Sequence, residues 1–171
     1  MLLITVENSQ KDLFLSLRRL TELVSLVLKS LKVSASHLTI YFTDAESICQ
    51  LHDRFFQDTS PTDCISFPFH DNERPPFRVS FLGEIFVCPR TAIEYSSING
   101  LDPYDEVMLY LVHGILHLVG FEDQSNEGER EMYAKQENIV SLLLSKGFTL
   151  NPKIDVGTIM DDLSCFCNLA R

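Results

Sequence analysis

The chain has 171 residues, 45% of them hydrophobic and 22% charged, enough for one globular domain with its own core. Its formal net charge is −10, from 14 basic and 24 acidic side chains. That argues against a general polyanion binder, because nucleic-acid affinity comes largely from Lys and Arg at phosphates. The imbalance is uneven: residues 1–100 carry 9 basic and 12 acidic side chains and residues 101–171 carry 5 and 12, so an anionic ligand approaches the N-terminal part more easily.

In chain order, "LLITV" reads as a strand, ended by the turn-prone "ENSQ". Leu13, Leu17, Leu20, Val24, Leu28 and Leu31 recur at three and four, which predicts an amphipathic helix over 11–32 with an ordinary solvated face. "HLTIYFT" is a second strand, and Asp44 is placed to cap a helix over 45–56. "TSPTD" is a turn and "CISFPF" a short strand that Pro68 confines to an edge or an end. Asp63 and Ser66 shape these turn and strand ends. "HDNERPP" is a polar loop and "VSFLGEIFVCP" a further strand that Pro89 ends. Helices are predicted over 90–98, from Pro103 to Val119, and over 126–146. The order β-α-β-α-β-β-α-α-α predicts an α/β (α+β) domain, a small mixed four-stranded sheet packed with about five helices. The domain is expected over 1–150, with 151–171 a tail without strong periodicity.

Five cysteines (Cys49, Cys64, Cys88, Cys165, Cys167) form no CxxC pair, which fits reduced thiols in a cytoplasm better than a disulfide framework. Cys165 and Cys167 read as packed or free thiols. The N-terminus lacks a basic region, so no signal peptide is read. The longest apolar run, 107–119, falls short of the ~18 residues of a membrane span.

That run contains His113 and His117, four apart and therefore on one helix face. Two readings are open: packed core imidazoles, or two ligands sharing one metal ion. Gly120 stops the helix within a turn, and Asp123 follows where the returning chain can reach the same ion. Two imidazoles and one carboxylate leave a fourth tetrahedral position open, the pattern of a catalytic zinc site. Gly114, without a side chain, lets something approach the backbone closely. It also occupies the position where HExxH metalloproteases keep their general base, which disfavours protease chemistry.

At these residues the chain resembles the YbeY endoribonuclease family, whose pattern is close to HGxLHLxGYDH. "HGILHLVGFED" matches at His113, Gly114, Leu116, His117, Leu118 and Gly120. "SPTDCISFPF" is similar to the family's PTDVLSFP stretch, and "FLGEIFVCPRTA" to its LGDIxI strand. The three lie in family order, over roughly residues 1–150. The resemblance implies an α/β fold, one Zn2+ held by His113, His117 and a third side chain, and hydrolysis of single-stranded RNA in the cytoplasm. It implies action in 16S ribosomal RNA 3′-end maturation and ribosome quality control, with ribosomal RNA, the small ribosomal subunit and its proteins as partners and no membrane.

Two positions depart from the pattern. The family's third ligand is usually histidine; here it is Asp123, with Glu122 as the competing carboxylate. The family's basic residue before PTD falls at Phe56, and the nearby cation is Arg54. Arg54 is the expected partner of the developing phosphate charge. Glu84, in "LGEIF", is expected to orient a ligand histidine or move a proton, or else to be a solvated strand carboxylate. The alternative function is a ribosome-assembly factor that keeps the metal site but cleaves RNA weakly or not at all.

Overall fold

The computed structural model describes residues 2–34, 37–69 and 81–152. Nine elements follow in chain order: β1 (Leu3–Asn8), α1 (Leu17–Ser30), β2 (His37–Phe42), α2 (Ala45–Phe56), β3 (Cys64–Pro68), β4 (Phe81–Val87), α3 (Pro89–Asn99), α4 (Pro103–Leu118) and α5 (Asn126–Ser145). The sheet order is β1-β2-β4-β3. β1, β2 and β4 run parallel, and β3 is an antiparallel edge strand on β4. The expected element order and mixed four-stranded sheet are both present.

Two boundaries differ from expectation for local reasons. β1 continues to Asn8, because Glu7 and Asn8 still pair with Tyr41 and Phe42 of β2. α1 begins at Leu17 rather than near residue 11. The buried Gln10 amide intercepts the chain there: its oxygen accepts from the backbone N–H of Asp12 and Leu13, and its nitrogen donates to the Leu13 carbonyl at 2.8 Å. A side chain competing for backbone groups in this way favours a turn over a helix. Leu13 keeps to the core only as a partly buried neighbour, and Leu17 is exposed.

Helix starts follow their side chains. Asp44 accepts from Ser47 N–H at 2.8 Å to cap α2, and Asp102 accepts from Tyr104 N–H at 2.8 Å to cap α4, with Pro103 in the first turn. α4 is the central element. Val107, Met108, Leu111, Val112, Ile115 and Leu116 are all fully buried, against the face of the sheet that carries Leu38, Ile40, Ile85 and Val87. A second, smaller cluster of Ile48, Ile65 and Cys88 packs α2 on the sheet. Ser66 bonds to α4, so its neighbour Ile65 points to the opposite face, and α2 and α4 sandwich the β3–β4 half of the sheet.

The site depends on how closely α4 lies on the sheet. A side chain at Gly114 would place its Cβ 2.8 Å from Ile85 Cγ2 and 3.0 Å from Ser66 Oγ. The close approach expected at Gly114 is therefore that of β3 and β4. The Ser66 hydroxyl donates to the Gly114 carbonyl at 3.2 Å, joining β3 to the helix.

Among the described residues no helix is long and apolar enough to cross a membrane. Cys49, Cys64 and Cys88 are free thiols. The "HDNERPP" loop, the start of the fourth strand at 79–80, and Cys165 and Cys167 lie outside the described residues.

Candidate metal centre

α4 is buried on nearly every side, yet His113 and His117 are each 27% exposed. Both open into a cleft of about 640 Å³ between α2, β3 and the α4–α5 connection. The volume lies within the ordinary range of ligand sites, roughly 300–1,000 Å³. The packed-core reading of the two histidines therefore gives way: their helix neighbours are core, and their rings face the cleft.

The turn after α4 carries the third group. Gly120 takes φ +96°, a left-handed conformation that costs glycine nothing. Its N–H donates to the His117 carbonyl, and the N–H of Phe121 donates to the Leu116 carbonyl, both at 3.0 Å. This pair of bonds is the Schellman termination. It turns the chain back so that the Phe121 carbonyl accepts from His117 Nδ1 at 3.1 Å. Asp123 then arrives with Oδ2 at 3.6 Å from His117 Nε2 and 4.0 Å from His113 Nε2. The two Nε2 atoms are 3.0 Å apart, and all three ligand atoms lie within 4.8 Å of one another.

The protonation pattern tests whether a cation fits. A carbonyl only accepts, so His117 carries its proton on Nδ1 when neutral, leaving a lone pair on Nε2. His113 Nδ1 lies 2.9 Å from Gln136 Oε1, and with the amide in this orientation it is likewise the donor. Two nitrogen lone pairs and a carboxylate oxygen then converge with no hydrogen between them. Such a set repels itself unless a positive charge sits at its centre. Zinc bond lengths of about 2.0–2.2 Å place tetrahedral ligands about 3.3–3.6 Å apart. The separations of 3.0, 3.6 and 4.0 Å bracket that edge. The residues present fit one zinc-sized cation. Cys64 also lines the cleft, but its thiol is not among the ligand atoms that converge there.

Of the five side chains singled out in the sequence, three come together: His113, His117 and Asp123. Glu122 lines the cleft but is not in that group. Arg54 and Glu84 do not join it. On α2, His52 and Phe56 face the cleft four residues apart, and Arg54 lies between them on another face, its guanidinium 5.7 Å from the Phe55 ring centroid. Glu84 follows the strand alternation. Its neighbour Ile85 touches α4, so Glu84 projects from the opposite side of the sheet, where Tyr41 donates to it at 3.3 Å. It meets neither histidine.

The groups that orient the imidazoles are instead Gln136 of α5 and the Phe121 carbonyl. Gln136, only 6% exposed, is 23 residues from His113, and no local pattern marks it. The Phe121 carbonyl was within reach of sequence reasoning, because a glycine in the left-handed stop position sets the direction of the next residue.

With the geometry established, similarity to known proteins can be placed on it. The family described as Endoribonuclease YbeY matches residues 5–143. Endoribonuclease YbeY of Protochlamydia amoebophila is 49% identical over 121 residues, 71% of this chain and 79% of the relative. Endoribonuclease YbeY of Chlamydia pneumoniae is 37% identical over 146 residues, 84% of this chain and 92% of the relative. The solution structure of TM1509 from Thermotoga maritima superposes with a TM-score of 0.55 at 24% identity, covering 91% of this chain and 99% of that one, and speaks to the fold alone. The family match spans β1 through most of α5, including both histidines, the Schellman turn and Gln136. The chain belongs to the YbeY endoribonuclease family.

Proposed function

We propose that this chain is a zinc-dependent endoribonuclease specific for single-stranded RNA. Its proposed work is 16S ribosomal RNA 3′-end maturation and ribosome quality control in the cytoplasm, with the small ribosomal subunit and its proteins as partners. The catalytic unit is residues 1–150. One observation carries the reading: three lone pairs, from His113, His117 and Asp123, converge at the wall of an open cleft in a chain of this family. An N2O donor set with a vacant tetrahedral position suits zinc in a catalytic role.

When bound, the ion supplies Lewis acidity toward a phosphodiester and its attacking water. The chain's own residues hold and aim it. Gln136 and the Phe121 carbonyl fix the tautomer of each imidazole so that Nε2 presents a lone pair, and Asp123 contributes the negative charge.

A second reading has its own observation. Among the described residues, no Lys or Arg lines the cleft to neutralise phosphate. That favours an assembly factor with a metal site and weak or no cleavage. Incubating the zinc-loaded chain with single-stranded RNA and with a duplex of the same sequence separates the readings. The nuclease reading expects cleavage of the single strand only, reduced to background in His113→Ala. Equal cleavage by both proteins rejects it, and intact RNA that remains bound supports the assembly factor.

A further inference from the structure

We infer that Phe56, with His52 beside it, is a stacking platform that holds one unpaired nucleobase of the RNA next to the metal centre. The inference rests on the endoribonuclease reading and names how that site grips its substrate.

Phe56 is the last residue of α2 and is 57% exposed, although its ring is wholly apolar. It lines the same cleft as His113, His117 and Asp123. The His52 ring lies 5.4 Å from it, tilted by 51°. His52 is itself held: its Nδ1 lies 3.0 Å from the Ser60 carbonyl, which can only accept. The backbone behind Phe56 is closed by Gln57, whose left-handed conformation (φ 57°) lets its N–H donate to the Asp53 carbonyl at 2.9 Å. The neighbouring Phe55 is equally exposed but differently used. It packs on Phe67 at 4.8 Å and lies beside the Arg54 guanidinium. The Phe56 ring is the one turned to the cleft.

The chemistry of the cleft selects the occupant. Glu122 and Asp123 lie along it, and among the described residues no Lys or Arg does. Among the described residues, then, no cationic side chain meets the phosphates of an RNA entering there. Stacking does not need one, since every base has a π-face for an aromatic ring, at about 1–3 kcal/mol per base. A duplex hides those faces between its own base pairs, and single strands expose them. The platform therefore supplies both grip and a preference for unpaired RNA, at the position where a basic residue was expected.

The experiment uses the zinc-loaded full chain and a short single-stranded oligoribonucleotide with hydrolysis-resistant phosphorothioate linkages, beside an abasic copy. The chain has no tryptophan, so Phe56→Trp places the sole indole on the proposed platform. Phe56→Trp should retain binding, with its fluorescence quenched by the oligonucleotide and not by the abasic copy. Phe56→Ala should bind about 5- to 150-fold more weakly, a stacking loss of ~1–3 kcal/mol. Abasic substitution should weaken the wild type by a similar factor and leave Phe56→Ala unaffected. Equal affinity of wild type and Phe56→Ala, or unchanged indole fluorescence at saturation, overturns the platform. If the wild type cleaves RNA and Phe56→Ala cleaves it with the same KM, only the platform falls. If the wild type neither binds nor cleaves single-stranded RNA, the platform and the endoribonuclease reading fall together.

Discussion

The Nε2 atoms of His113 and His117 face each other at 3.0 Å, while the Nδ1 atoms of both rings are engaged on their far sides by Gln136 and the Phe121 carbonyl. Two acceptors at hydrogen-bond distance, with their protons held elsewhere, call for a cation between them. The first prediction is about one equivalent of zinc per chain by elemental analysis, lost in His117→Ala. Asp123→Asn should retain less metal than the wild type, and undiminished affinity would remove Asp123 from the ligand set. Saturation at about 100 times Kd should stabilise the fold by about 2.7 kcal/mol, read as a Tm about 5–10 °C above the chelator-treated protein.

Gln136→Ala leaves the three ligands in place and removes the acceptor that orients His113. Loss of such a partner lowers metal affinity by about 10–100-fold. Competition against a zinc-binding dye measures this directly. An unchanged affinity would mean that the Gln136 contact does not set the imidazole.

Gly120→Ala tests the turn. Alanine in a left-handed conformation costs roughly 1–2 kcal/mol, and φ at this position is +96°. Relaxing that strain moves the Phe121 carbonyl away from His117 Nδ1. The variant should lose stability in urea and metal affinity together, whereas a purely structural turn would lose only the first.

Gly114→Ala should be destabilised despite alanine's helix propensity, worth about 1 kcal/mol over glycine. The new methyl would meet Ile85, itself fully buried, at 2.8 Å. Overpacking of this kind costs roughly 1–3 kcal/mol. Urea denaturation gives the sign, and a variant more stable than wild type would mean that α4 lifts freely from the sheet.

Glu106, 9% exposed in the first turn of α4, has its carboxyl pushed above the ordinary range, first by desolvation and then by the charges of Asp105 and Asp63. A folded pKa above the unfolded one means that the group's contribution is fully present below the unfolded value, about 4.3. It is lost as pH rises through the folded value. Glu106→Gln does not titrate, so its stability relative to wild type should be greatest above neutral pH and decline as pH falls toward that value. A pH-independent difference in urea midpoints would show that Glu106 ionises without penalty.

Much of this could be read locally. The three-and-four spacing in "YLVHGILHL" put both histidines on one helix face, and Gly120 announced the turn. Asp44 and Pro103 marked their helix starts because helix initiation is a matter of neighbouring residues, and the structure adds Asp102 as the cap of α4. The same locality explains the misplacement of the α1 start. Leu13 and Leu17 fit the apolar period, but the Gln10 amide had already claimed the backbone N–H groups a helix would need. Arg54 was singled out as the cation nearest the family's basic position, and two residues' rotation on α2 takes it out of the cleft that Phe56 faces.

The candidate ligand set could be proposed from spacing along one helix and one turn together with the family resemblance, because chain connectivity already holds those groups within a few ångströms. Orientation did not, because it depends on contacts between segments that packing alone brings together. Gln136 reaches His113 only because α5 lies on α4. Glu84 misses both histidines only because strand alternation turns it to the other side of the sheet. Periodicity along the chain reports which residues share a face; burial of the apolar faces against one another decides what each face meets.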